Sequence, residues 1–157
     1  MAVEFSAESL KKFHEVVGRY PKKEAAMLPV LYLAQHEFGY LGGEAIEYVA
    51  KIMEVPAARV YGVVTFYTML NMKPVGKYHV QVCRTLPCAL LGAEKITACL
   101  KSKLGINLGE TTPDGKVTLS EVECLASCGT GPMMQINDDY YENLTEKKVE
   151  EILESLK

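Results

Sequence analysis

The sequence predicts an α+β chain, helical over residues 1–74 and mixed over residues 75–157. Three observations carry that division. Up to Pro74, apolar residues recur every three or four positions. After it, "KYHVQVC" changes to a period of two, and the helical period then returns in only two later segments. With 157 residues, 48% hydrophobic and 24% charged, the chain is long enough for one ordinary domain or two small ones with a real core.

In the first half, Ser6 is placed to cap a helix carrying Leu10, Phe13 and Val17, which should stop by Pro21. A second helix is predicted from about residue 22 to 38, with Pro29 kinking or restarting it and Gly39 ending it in a left-handed cap. "GGEAIEYVAKIMEV" predicts a third, with Ile46, Val49, Ala50 and Met53 on one face, and Pro56 suits the first turn of a fourth. Together these make a small helical bundle. Its last stretch, "VVTFYTML", reads as buried core in preference to an exposed docking face.

In the second half, Tyr78, Val80 and Val82 share one face of a strand, and residues 89–104 read as a helix through Ala93, Ile96, Leu100 and Leu104. "TTPDGK" is a turn and "KVTLSEVEC" an extended segment. "PMMQIND" and "YYENL" form a hairpin about Asn137, Asp138 and Asp139. Thr145 caps a last helix that turns Val149, Ile152, Leu153 and Leu156 inward.

Charge and hydropathy exclude several functions. The net charge is −3, and Lys and Arg are scattered instead of gathered into a stripe, which argues against a nucleic-acid partner. "MAVEFSAESLKKF" has no signal-peptide pattern, and "VYGVVTFYTML" falls far short of the roughly 20 apolar residues that span a bilayer. The expectation is a cytoplasmic protein with no direct membrane insertion. In that reducing setting, clustered cysteines point to metal or redox chemistry and not to structural disulfides.

Four of the five cysteines come in two pairs. Cys83 and Cys88 are expected in the loop between the first strand and its helix, and Cys124 and Cys128 in the loop entering the hairpin. A catalytic dithiol works best as C-x-x-C, which neither pair provides. A structural zinc accepts four cysteines, though zinc ribbons usually present tight C-x-x-C turns. A [2Fe-2S] cluster needs two sulfurs on each iron, so wider pairs from separate loops suit it, and this reading is favoured over the other two. His14, His36 and His79 lie outside both loops, which favours all-cysteine ligation over a mixed histidine centre. Cys99 follows Ile96 by three and reads as a small buried hydrophobe.

An anionic cluster needs donors. A helix beginning near Pro87 is expected to offer its positive end to Cys83 and Cys88, with Gly129 and Gly131 admitting backbone N–H groups to the other sulfurs. "GTGPMM" fails the dinucleotide fingerprint, since it lacks a third glycine and precedes a strand. Glu121 and Glu123 read as a solvated face, and no proton-transfer or nucleophile constellation lies beside the cysteines. These features predict an electron carrier without a complete active site of its own.

The stretches "VYGVVTFYTMLNMKPVGKYHVQVCRTLPCALLGAEKI" and "VECLASCGTGPMMQIND" resemble the [2Fe-2S] subunit of respiratory NADH:quinone oxidoreductase, complex I, the small partner of its flavoprotein. The resemblance covers nearly the whole chain and implies a helical bundle, residues 1–74, followed by a thioredoxin-like ferredoxin domain, residues 75–157. It implies one [2Fe-2S] cluster on Cys83, Cys88, Cys124 and Cys128, with FMN and NADH bound by the flavoprotein partner and not by this chain. It also implies contact with other peripheral-arm subunits of complex I and, through that arm, association with the inner membrane. Related subunits serve NAD-linked hydrogenases and formate dehydrogenases, and a structural-zinc interaction module is the alternative outside the family. One departure stands out: Arg84 follows the first cysteine, where the family tends to carry a small residue or threonine.

Overall fold

The computed structural model describes residues 3–156. The chain divides into two compact units between Pro74 and Val75.

The first unit is helical. Helix α1 (Ala7–Val17) starts at Ser6, whose hydroxyl accepts the Ser9 N–H. A 3-10 turn (Lys23–Ala26) leads into α2 (Met27–Phe38), which places Pro29 in the first turn of a new helix. There the missing N–H costs nothing, so the proline restarts the helix without kinking it. Gly39 ends α2 at a φ of 82°. Helix α3 (Gly43–Met53) buries Ile46, Val49, Ala50 and Met53, the face given by its spacing. Helix α4 (Ala57–Phe66) begins one residue after Pro56. The core joins Phe13, Val30, Leu31, Ala34, Val49 and Val60, while Leu10, three residues before Phe13 on the same helix, is exposed. The reading of "VVTFYTML" as core holds for only part of it: Val64 and Leu70 are buried, but Phe66 is 77% exposed and Met69 45% exposed. Helix α4 turns only part of its circumference to the core, so the alternate positions face outward.

The second unit is a four-stranded sheet with helices. Strands β1 (Tyr78–Cys83), β2 (Val117–Val122), β3 (Met134–Ile136) and β4 (Asp139–Tyr141) lie in the order β2-β1-β3-β4. β1 runs parallel to β2, with Cys83 opposite Val122, and antiparallel to β3, with Val82 opposite Met134. As an inner strand β1 is covered on both sides from Val80 on, Gln81 included, so its sequence alternation does not become an alternation of burial. Between β1 and β2 the expected single helix is two: α5 (Leu86–Leu90) and α6 (Ala93–Leu104). Gly92, at a φ of 97°, breaks the run, because a left-handed residue ends the helical ladder. The β3–β4 turn is Asn137 and Asp138, Asp139 already belonging to β4. Helix α7 (Glu146–Ser155) is capped by Thr145, whose hydroxyl accepts the Lys148 N–H at 3.2 Å. It buries Val149 and Ile152 on a core of Val80, Val82, Leu100, Leu119, Met133 and Met134, with Leu156 just past its end. Among the described residues no helix is long and apolar enough to cross a membrane.

Candidate metal centre

Parallel pairing of β1 and β2 puts their carboxyl ends at one edge of the sheet, and all four paired cysteines gather there. Cys83 is the last residue of β1 and Cys88 sits inside α5, so this pair occupies regular structure and not the loop expected for it. Both are buried, at 2% and 1% exposure. Cys83 N–H donates to Met133 O at 3.2 Å and Arg84 N–H to Val122 O at 3.0 Å, which carries the sheet's hydrogen bonding past the first thiol. Cys124 lies in the loop that leaves β2, and Cys128 opens a 3-10 turn (Cys128–Thr130) on the way to β3. Their sulfurs are 4.0 Å apart and both residues are exposed.

The donors to sulfur differ from the expected ones. Helix α5 has five residues, too few aligned peptides for a substantial dipole. The Thr85 hydroxyl lies 3.2 Å from Cys83 Sγ, with the Leu125 and Thr85 N–H groups also directed at it. Met133 N–H serves Cys88, and Ala126 N–H donates to Cys124 Sγ at 3.3 Å. Thus Thr85, Leu125 and Met133 take the part given to the helix end, and Ala126 the part given to Gly129 and Gly131. Gly131 matters for closeness instead: a Cβ there would stand 3.4 Å from Cys88 Sγ and 3.0 Å from Leu91 Cδ1.

The thiols feel one another. Burial pushes Cys83 up, but hydrogen bonds from Thr85 and Leu125 outweigh it and hold the thiol below its ordinary value. Cys88 is pushed up to about 11, by burial first and then by the hydrogen bond with Cys83 and the charges of Cys83 and Cys128. Cys128 is raised by its hydrogen bond with Cys124, by the charge of Cys124, and further by burial and Cys83. Such mutual repulsion among thiolates is what a bound cation relieves. Cys99, half-buried on α6, is raised by burial and by Glu146 and Glu150, and lies against the core.

The donor set can be tested against a metal. Among the described residues no three His, Cys, Asp or Glu side chains form a group that could hold a single ion. The four thiols are disposed as two pairs at one sheet edge, the division that a binuclear centre with two sulfurs per iron requires. The histidines stay away from it: His14 and His36 are exposed on α1 and α2, and His79 Nε2 lies 2.5 Å from Ser120 Oγ on the neighbouring strand.

Two features near the cysteines escape a reading of the sequence. Arg84, next to Cys83, pairs with Glu123, next to Cys124, through Nε at 3.0 Å and Nη2 at 2.7 Å, so Glu123 is engaged and not merely solvated. Glu142, beyond β4, accepts hydrogen bonds from Ser127 and Thr130, on either side of Cys128, the latter at 2.6 Å. No spacing announces that contact, because only the hairpin brings Glu142 back to the loop.

The family profile for the thioredoxin-like [2Fe-2S] ferredoxin matches residues 13–157. The chain belongs to that family. An NADH-quinone oxidoreductase subunit of Rickettsia felis is 50% identical over 153 residues, 96% of this chain and 92% of that protein. Another, from Rhizobium meliloti, is 42% identical over 147 residues, 94% of this chain and 88% of that protein. These relatives are oxidoreductase subunits, and the chain is a family member of the same kind. The fold also matches an NAD+-reducing [NiFe]-hydrogenase in the air-oxidized state, with a TM-score of 0.71 at 17% identity. That match covers 83% of this chain but only 22% of the hydrogenase chain. The family's α+β fold is therefore the one described above, and its members are [2Fe-2S] ferredoxins.

Proposed function

We propose that this chain is the electron-carrying subunit of an NADH-quinone oxidoreductase, holding one [2Fe-2S] cluster on Cys83, Cys88, Cys124 and Cys128. The observation that carries the reading is the gathering of two cysteine pairs at one sheet edge in a chain of this family. When bound, such a cluster stores and passes one electron at a time. Cys83 and Cys88 would hold one iron from the buried side, and Cys124 and Cys128 the other from the exposed side. The N–H groups of Thr85, Leu125, Ala126 and Met133 would offset the thiolate charge.

The electron is exchanged with the flavin of an NADH-oxidising partner subunit that binds FMN and NADH. The exposed Phe66 and Met69 of this chain suit contact with another subunit of the peripheral arm, through which a chain with no spanning helix among its described residues would reach the inner membrane. Full-length similarity to subunits of NADH-quinone oxidoreductases favours the quinone-linked complex over a hydrogenase or formate dehydrogenase, for which the hydrogenase likeness supplies the fold alone.

Aerobically purified protein should be reddish brown, with about two irons and about two labile sulfides per chain, and should give a one-electron EPR signal on reduction. Colourless protein with stoichiometric zinc and no sulfide would replace this reading with a structural-zinc module.

A further inference from the structure

Resting on the ligand set just proposed, we infer that Glu142 is a positioning residue that clasps the Cys124–Cys128 loop and sets how firmly that half of the site is held. Cys83 and Cys88 are fixed by a strand, a helix and the core, but Cys124 and Cys128 are exposed and have no such packing. Leu125 rests the loop between β2 and β3 on the core, but the stretch around Cys128 is held by polar contacts, and these converge on the segment after β4. Ser127 and Thr130 both donate to Glu142 Oε1, and their own oxygens are 2.6 Å apart. Asn143 N–H donates to Thr130 O at 2.6 Å and Leu144 N–H to Pro132 O at 2.9 Å.

The anchor is itself anchored. Lys148 Nζ donates to Glu142 O at 2.6 Å, and Leu144 beside it is buried. The hairpin and the start of α7 thus form a fixed post, and Glu142 is the side chain that reaches from it to the residues flanking Cys128. A carboxylate accepting two hydroxyls makes charge-assisted hydrogen bonds, which are stronger than neutral ones. Half-buried Ser127 and Thr130 leave those bonds only partly screened by water. A thiolate pair held this way gives up its metal through opening of the loop, so the strength of the clasp governs that step.

The test compares wild type, Glu142→Ala and Glu142→Gln in the full chain, by iron release to a chelator and by amide hydrogen exchange. Glu142→Ala should assemble the cluster yet release iron about tenfold faster, the scale of one lost charge-assisted hydrogen bond. The Thr130 and Asn143 amides should exchange faster by a similar factor, while the β1 amides and the melting temperature of the second unit stay close to wild type. Glu142→Gln keeps an acceptor oxygen and should recover most of both. Wild-type rates in Glu142→Ala, or equal losses in Ala and Gln, overturn the clasp. Should the wild type carry no iron, the ligand reading falls, and the exchange of Thr130 and Asn143 in the metal-free chain still decides the role of Glu142.

Discussion

Cys83 and Cys88 differ from Cys124 and Cys128 in what holds them, although all four serve one sheet edge. The first pair belongs to the fold: it is buried, built into β1 and α5, and would keep its place without a metal. The second is carried on a loop, its sulfurs 4.0 Å apart, and depends on the hydrogen bond that Ala126 N–H gives to Cys124 and on those that Ser127 and Thr130 give to Glu142. One half of the site is part of the scaffold and the other is fastened to it. The inner half is shielded from solvent and the outer half is open to it.

The largest test of that contrast removes a ligand. Replacement of Cys83, Cys88, Cys124 or Cys128 by serine should abolish the visible spectrum and the bound iron, whereas Cys99→Ser should keep both, as measured by absorbance and iron assay. Retention of the cluster in two of the four would break the assignment.

The next effect separates the pairs with no metal present. In cluster-free protein, Cys88→Ser should lower stability by about 1–3 kcal/mol, the cost of burying a hydroxyl where a thiol stood, and Cys128→Ser should lower it far less at its exposed position. Denaturant titration reads both, and equal losses would mean that the inner pair is no more part of the scaffold than the outer.

A smaller effect tests where the halves meet. Gly131→Ala places a methyl against Leu91 Cδ1 and Cys88 Sγ and should cost about 1 kcal/mol, since core insertions run about 1–3 and exposed Leu91 can yield. Leu91→Ala should restore most of the loss, again by denaturant titration.

The smallest concerns Arg84 and Glu123, which tie the residue after Cys83 to the residue before Cys124. A lone unit charge about 6 Å from the cluster at an effective dielectric of about 60 shifts a one-electron potential by about 40 mV. The pair cancels most of this, and both side chains are more than half exposed, so salt screens the remainder. Arg84→Ala should lower the reduction potential by less than about 40 mV, Glu123→Ala should raise it by a similar amount, and the double variant should return near wild type. Redox titration followed by EPR measures all three, and an unshifted potential in each would show that neither charge reaches the cluster.

Much of this arrangement is legible in the residues themselves, and the reasons vary by element. Ser6, Gly39 and Thr145 act where they stand, as local caps, so their spacing suffices to place α1, α2 and α7. The two pairs are visible as spacings because each lies within a few residues along the chain. The split between α5 and α6 is not, since "ALLGA" continues an apolar run while Leu90 and Leu91 in fact face outward. The amide donors are hidden for another reason: any residue carries an N–H, and the glycines that invite the guess are not the ones aimed at sulfur. Glu142 is hidden because its contact is made by the return of a hairpin, which no local pattern encodes.

The parallel pairing of β1 with β2 has a consequence for the order of events during synthesis. The helical unit closes through neighbouring segments and can form as soon as it leaves the ribosome, as chains rich in local contacts do quickly. β1, with Cys83 at its end, must wait for α5, α6 and the turn at Gly115 before β2 arrives to pair with it. Until then the two cysteine pairs lie on segments not yet brought together in space. With the proposed ligand set, metal loading would therefore be a late step, gated by closure of the sheet.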